Sequence, residues 1–320
     1  FVDLFDWIDF RNLFNAQPGN GSLIPEPGGI ALFILGGGAL MLAARRRRLV
    51  TVFSVMVCLA LSSGAVAQNM PNDVADLLVW FKADTGVESA EGVAATQGGP
   101  VGVWKDQSGN GLDAVASDPA SQPILGTSES LGNVPTIQWD GTSGSGFWVS
   151  GASLNEGQES TYLIVFESVT DAKNRRWVDF TGNGTFRNYS KGFSGGGTVA
   201  APFDGTRGYN GTIPINDGVP HLTATRMRQG DLDHFVNGTQ DTMSIFYDPT
   251  NIGEGWNLSE VNNLTIGSNA NGGSVYVGDI AELAIYGRAL TDAELSNLTT
   301  NYFEQRYEFP AAGDFNKDGA

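Results

Sequence analysis

Apolar and polar residues alternate in short blocks along most of this 320-residue chain. The pattern predicts strands at 77–82, 101–105, 135–139, 146–150, 160–169, 176–181, 221–228, 233–237, 263–267 and 274–287. Gly, Asn, Asp or Pro clusters separate most of them, as the turns of a sandwich require. Thr161-Tyr162-Leu163-Ile164-Val165-Phe166 is apolar on both faces, which suits a central strand. His221 to Arg226 and His234 to Thr239 read as a strand pair, with Asn237-Gly238 as a turn at the end of the second. One helix is expected near the end of the body. Thr291 and Glu294 form a capping box, and Leu295, Leu298, Tyr302 and Phe303 share one face.

The stretch from Val103 to Ala114 organises this reading. A strand ends at Trp104, Ser108-Gly109-Asn110-Gly111 turns the chain, and a short strand follows. Asp106 and Gln107 can hold the backbone amides of that turn. The sharper reading has Asp106 and Asn110 facing a ligand or ion.

The first 67 residues follow a different pattern. Residues 1–15 have Leu4, Trp7, Ile8 and Leu13 at near-helical spacing, with Asp3 and Asp6 at the start. An apolar run from Gly28 to Ala44 follows Pro25-Glu26-Pro27 and ends at four arginines, 45–48. It is near the lower limit for spanning a bilayer, with the arginines kept on the cytoplasmic side. A second apolar run, Leu49 to Leu61, leads to Ala65-Val66-Ala67-Gln68. With the same arginines before it, residues 41–67 read as a secretory signal peptide cut after Ala67. The chain begins with Phe and stacks two export signals, so we expect a fragment joining two adjacent reading frames.

Four blocks carry a family resemblance over roughly residues 74–308. They are Leu78 to Asp84, Trp104 to Ala114, Pro135 to Gly141 and Asp279 to Leu290. Their order resembles the laminin-G-like (concanavalin A-like) jelly-roll domains of secreted bacterial proteins. The resemblance implies an all-β antiparallel sandwich over 69–308 with one C-terminal helix, preceded by N-terminal hydrophobic helices. Residues 24–48 resemble a PEP-CTERM sorting segment, which implies exosortase-type processing beside signal peptidase cleavage. Asp314-Phe315-Asn316-Lys317-Asp318-Gly319 resembles the start of a dockerin-type calcium loop, within 313–320. Residues 1–20 resemble the end of such a repeat, with Asp3 and Asp6 as ligands. Each half-loop lacks about half of the six to eight oxygens that calcium takes, so neither is expected to bind the ion well alone.

Charge then narrows the function. Residues 1–67 hold four acids and five bases, which leaves 31 acids against 13 bases in the remainder. Nucleic acid is not an expected partner, because phosphate contacts need a basic face. The one cysteine, Cys58, lies in the second apolar run, so no disulfide framework is expected. Asn210-Gly211-Thr212 reads as turn chemistry rather than a glycosylation site.

No catalytic run stands out. Two carboxylates aligned along one strand would need a Glu-x-Asp-x-Glu pattern, and none is present. Asp231-x-Asp233 comes nearest and reads as a solvated hairpin turn. Gly192-x-Ser194-x-Gly196 lacks the helix of a nucleophile elbow. His221 and His234 read as structural.

Aromatic rings remain as candidate stacking surfaces. Trp80, Trp104, Trp139 and Trp148 fall on strands and are expected in the core. Trp177, Tyr209 and Trp256 lie nearer to loops and are the candidates for a sugar. Asp106, Asp140 and Asp279 are candidate calcium donors within the sandwich. The leading expectation is an exported, non-enzymatic module that binds glycan or another cell-surface ligand. An adhesive envelope or matrix module and a hydrolase with an unfamiliar site are the alternatives.

Overall fold

The computed structural model describes residues 70–154, 159–168, 175–181, 186–189, 201–203, 208–228, 231–247, 261–269, 271–307 and 309. The expected sorting segment, signal peptide and both half-loops lie outside them. Among the described residues no helix is long and apolar enough to cross a membrane.

Among the described residues, nineteen strands follow a 3-10 turn at Pro71–Asp73. The first ten are β1 (Leu77–Lys82), β2 (Val87–Ala90), β3 (Val93–Ala94), β4 (Val103–Trp104), β5 (Ala114–Ala116), β6 (Ile124–Ser128), β7 (Val134–Asp140), β8 (Phe147–Leu154), β9 (Ser160–Ser168) and β10 (Arg176–Thr181). The rest are β11 (Phe186–Tyr189), β12 (Ala201–Phe203), β13 (Gly208–Asn210), β14 (Pro220–Arg228), β15 (Asp231–Val236), β16 (Thr239–Asp241), β17 (Ser244–Tyr247), β18 (Val261–Ile266) and β19 (Val277–Tyr286). All pairings between these strands are antiparallel.

Two sheets result. The first runs β16-β15-β14-β9-β19-β7-β6, with β1 paired to the later part of β19. The second runs β17-β13-β12-β11-β10-β18-β8-β5-β4-β2-β3. Alternation aims Phe81, Ile137, Tyr162, Ile164, Phe166 and Leu283 of the first sheet at Trp104, Phe147, Val149, Leu264 and Ile266 of the second. The Phe81 and Trp104 rings lie 5.4 Å apart and those of Trp139 and Phe147 5.9 Å apart, so aromatic contacts bridge the layers.

The outer face of the first sheet carries a second apolar cluster, including Trp80, Leu163, Val165, Leu222, Ala281 and Ala284. The expected helix covers it. It comprises α1 (Asp292–Leu298), a π-helical turn at Thr299–Phe303 and α2 (Glu304–Arg306). Leu295, Leu298, Tyr302 and Phe303 are all buried there.

The capping box forms as read. Thr291 Oγ1 accepts from Glu294 N at 3.2 Å, and Glu294 Oε2 accepts from Thr291 N at 2.9 Å. The Arg288 guanidinium also grips Glu294 and holds its carboxyl down to about 2. We expect Thr291→Ala to cost about 1 kcal/mol, read as a lower urea midpoint at unchanged slope.

One polar group sits inside this apolar interface. Glu282 on β19 is fully buried. It accepts from Trp80 Nε1 at 2.6 Å, Tyr302 OH at 2.9 Å and Tyr307 OH at 2.5 Å, and Arg306 Nε stands 3.2 Å away. The carboxylate therefore ties β1, β19 and the C-terminal helix together.

One local expectation changes and another holds. Asp231 and Asp233 are not in a solvated turn but on β15, where Asp233 Oδ2 accepts from Arg226 Nε and Nη2 at 2.9 and 2.7 Å. Arg226 Nη1 continues to Leu290 O and Asp292, so Asp233 helps anchor the start of α1. The Asn237-Gly238 turn is confirmed, with φ values of 47° and 74°.

Candidate functional site

The stretch from Val103 to Ala114 is a structural keystone. Asp106 accepts from Trp80 N, Ser108 N, Ser108 Oγ and Leu112 N, so both carboxylate oxygens are engaged. Asn110 Nδ2 donates to Leu77 O and Leu78 O. Both side chains fasten the turn to β1, the structural role that the turn pattern also predicts.

The aromatic candidates also move. A bulge in β10 between Arg176 and Val178 sends Trp177 into the core, where it is 0% exposed and lies 4.3 Å from the Phe166 ring. Tyr209 on β13 is 6% exposed within the same core. Neither ring offers a face to a sugar. Trp256 lies outside the described residues, as do Asp3, Asp6, Asp314, Asn316 and Asp318. Trp148, expected in the core, is instead half-buried on the outer face of the second sheet. Its cross-strand neighbour there is Val115, which is 49% exposed.

The cleft with unengaged polar atoms lies on the outer face of the first sheet, beyond the helix. Register places Gln138 of β7, Asp279 of β19 and Glu167 of β9 in one row across three strands. Alternation turns all three outward, since Ile137, Ile280 and Phe166 point into the core. One cavity of about 450 Å³ is lined by Pro123, Ile124, Gln138, Trp139, Asp140, Val277 and Asp279, among others. A second, of about 540 Å³, is lined by Thr127 to Ser130, Glu167, Gly278 and Asp279. Gly278 and Asp279 line both, so the two are halves of one cleft.

Hydrogen bonds fix the floor. Asp279 Oδ2 accepts from Thr136 Oγ1 at 2.9 Å and Gln138 Nε2 at 2.8 Å. Glu167 Oε2 accepts from Ser128 Oγ at 3.1 Å and from Ser130 Oγ. Burial, with a smaller push from Glu167, raises the Asp279 pKa. Asp140 accepts from Thr142 N at 2.8 Å, and its hydrogen bonds to Thr142 hold its pKa down. Among the described residues, Asp279 Oδ1 and Glu167 Oε1 receive no protein donor. Gly278 has φ +137°, and a Cβ there would run into Glu167 O, so only glycine lets β9 and β19 approach here.

A third cavity of about 590 Å³ lies between β15–β16 and α1. Both of its arginines are engaged: Arg226 holds Asp233 and Asp292, and Arg228 holds Asp231 and Asp233. That groove is a joint between helix and sheet. Calcium fits the described sandwich poorly. Asp106 is engaged elsewhere, and among the described residues no group of three or more acidic, His or Cys side chains is placed to hold a metal ion. Asp140 and Asp279 line the cleft together but supply too few of the ligands calcium takes.

Comparison with known proteins agrees on the fold. Residues 146–296 match the laminin-G family model described as Concanavalin A-like lectin/glucanases superfamily. The paired antiparallel sheets are therefore a concanavalin A-like β-sandwich. No curated protein matches by sequence.

Among solved structures, domain 4 of AbnA, a GH43 extracellular arabinanase from Geobacillus stearothermophilus in complex with arabinotriose, is 15% identical. The alignment covers 70% of this chain and 98% of that domain, with a TM-score of 0.49. The binding domain of Paraclostridial Mosquitocidal Protein 1 is 11% identical over 73% of this chain and 53% of its own, at 0.47. Trypanosoma rangeli sialidase is 12% identical over 71% of this chain and 33% of its own, at 0.46. The chain thus spans about half of the mosquitocidal domain and a third of the sialidase. These likenesses concern the fold alone.

Proposed function

We propose that this domain is a non-enzymatic saccharide-binding module and that the cleft over Asp279 is its binding site. The observation that carries the reading is the cleft's mixed lining. Pro123, Ile124 and Val277 supply apolar surface beside the unengaged acceptors of Asp279 and Glu167. A sugar ring presents both C–H faces and hydroxyl donors, so it can use both kinds of wall at once. The family description, which names lectins and glucanases, supports the class of ligand.

In this reading the module works outside the cell, with residues 41–67 as its signal peptide and 28–44 as a transient membrane contact. Any calcium site would belong to the half-loops at the two ends, each needing the other half of a repeat to bind well, and not to the sandwich. The alternative, an adhesive envelope or matrix module, needs no sugar site and would associate with itself or with envelopes without saturable sugar binding.

The test is calorimetric titration of the purified chain against a panel of neutral and charged oligosaccharides. We expect saturable binding that Asp279→Ala weakens at least about tenfold. Unaltered affinity in that variant, or no binding anywhere in the panel, defeats the proposal.

A second reading has a specific observation behind it. Asp279 and Glu167 are direct cross-strand partners, which sets their Cβ atoms about 4.5–5.5 Å apart. Retaining glycosidases hold two carboxyl groups about 5–5.5 Å apart, one of them with a raised pKa. Release of reducing ends from a polysaccharide panel, abolished by Glu167→Gln, would establish that reading over simple binding.

A further inference from the structure

Resting on the saccharide reading above, we propose that the cleft is selective for a sugar that carries a free, protonated amine. The side-chain donors nearest the floor, on Ser128, Ser130, Thr136 and Gln138, are directed at the two carboxylates themselves. The carboxylate oxygens that those donors leave open are Asp279 Oδ1 and Glu167 Oε1. An ionised carboxylate only accepts. The ligand must therefore bring donors to this spot.

Charge sharpens the demand. The ionisable residues lining the two halves of the cleft are Glu129, Asp140, Glu167 and Asp279, with no Lys or Arg among them. Arg175 lies against Gly141 but donates Nη1 to Val275 O at 2.7 Å and is not part of the lining. Two carboxylates side by side on adjacent strands repel each other, and like charges placed directly opposite destabilise a sheet. Elsewhere in the domain Asp233 and Glu282 each have an arginine partner. Among the described residues the Asp279–Glu167 pair has none.

An ammonium group between Asp279 Oδ1 and Glu167 Oε1 would fill that vacancy with charge-assisted hydrogen bonds. A sugar acid placed in the same cleft would meet four carboxylates and be rejected. N-acetylation replaces the ammonium by a neutral amide with one donor, so the acetylated sugar loses the ion pair while keeping its ring. The apolar side of the cleft, at Ile124 and Val277, then serves the ring and not the amine.

The experiment uses the full chain and three disaccharides: glucosamine dimer, its di-N-acetyl counterpart and a uronic acid dimer. Titrations are run at moderate salt and near-neutral pH, so that the amine keeps charge while the Asp279 carboxyl, whose pKa burial raises, is favoured in its ionised form. We expect the amine form to bind about tenfold or more tightly than the acetylated form, and the acid form not to bind. The double variant Asp279→Asn with Glu167→Gln should abolish the preference. A control that removes two exposed acids away from the cleft, Glu91→Gln with Asp231→Asn, should keep it. Equal affinity for the amine and acetylated forms overturns this inference and leaves the saccharide reading standing. So does a preference that survives in the double variant, which would mark attraction to the acidic surface at large. Failure of all three sugars, and of neutral oligosaccharides with them, defeats the saccharide reading itself.

Discussion

Replacing Glu282 by Ala lowers the stability of the domain by about 3–5 kcal/mol, the usual cost of removing one partner from a buried charge network. The substitution strips an acceptor from Trp80 Nε1, Tyr302 OH, Tyr307 OH and Arg306 at once. Each of those groups stays buried or half-buried, and a desolvated donor without an acceptor is costly. The loss is read as a fall in urea midpoint, and the helix should become the first site of limited proteolysis. A midpoint within experimental error of wild type would show that the network adds nothing to stability.

The same residue predicts a pH signature. Burial pushes the Glu282 pKa up from its ordinary 4.5. Its folded form therefore binds a proton more readily than its unfolded form. Its contribution to stability is fully present below the unfolded value and is lost as pH rises through the folded one. Glu282→Gln, which keeps the shape and cannot titrate, should lack this slope. The stability difference between wild type and Glu282→Gln should thus shift against wild type as pH rises above about 4.5. A difference that stays constant over that range would argue against a raised value.

Local patterns in the sequence carried much of the fold. Both faces of Thr161 to Phe166 are apolar because β9 lies between β14 and β19 under the helix, and all six residues are buried. The capping box and the Asn237-Gly238 turn need only residues within a few positions, so they too were legible. Strands such as β6 were not. Ile124-Leu125-Gly126-Thr127-Ser128 is short and broken by glycine, and the Gln138 side chain occupies the space a Cβ at Gly126 would need.

The site was harder to read for one physical reason: its parts meet only through register. Asp140 and Asp279 were candidates as isolated acids, yet Glu167 was not, because a search along single strands cannot see a pair facing across two. Likewise Trp80 and Glu282 lie 202 residues apart. Trp148 was placed in the core because it is large and apolar, although the alternation Phe147-in, Trp148-out, Val149-in was already in the sequence. Trp177 failed the other way. No alternation rule anticipates the bulge that turns it inward.

Between pH 6.5 and about 4 the domain should lose roughly 3 kcal/mol of stability through His234 alone, at about 1.36 kcal/mol per pKa unit. His234 on β15 is 0% exposed, and burial lowers its pKa from 6.5 to about 4. Its Nδ1 lies 2.8 Å from Thr225 Oγ1, and Nε2 is without a hydrogen-bond partner among the described residues. Asp241 stands opposite on β16 and pulls the value upward, but its Oδ1 is already engaged by Thr212 and Ile213. The neutral imidazole is therefore the folded form. A depressed folded value gives stability that is full above the unfolded pKa and is lost as pH falls toward the folded one. His234→Gln should remove this acid limb while costing stability at neutral pH, where Thr225 and the strand packing still have to be satisfied. Denaturant titrations of both proteins at several pH values measure the slope, and imidazole proton shifts report the site directly. If the His234 resonance titrates near 6.5, the ring is not held neutral by burial and the argument fails.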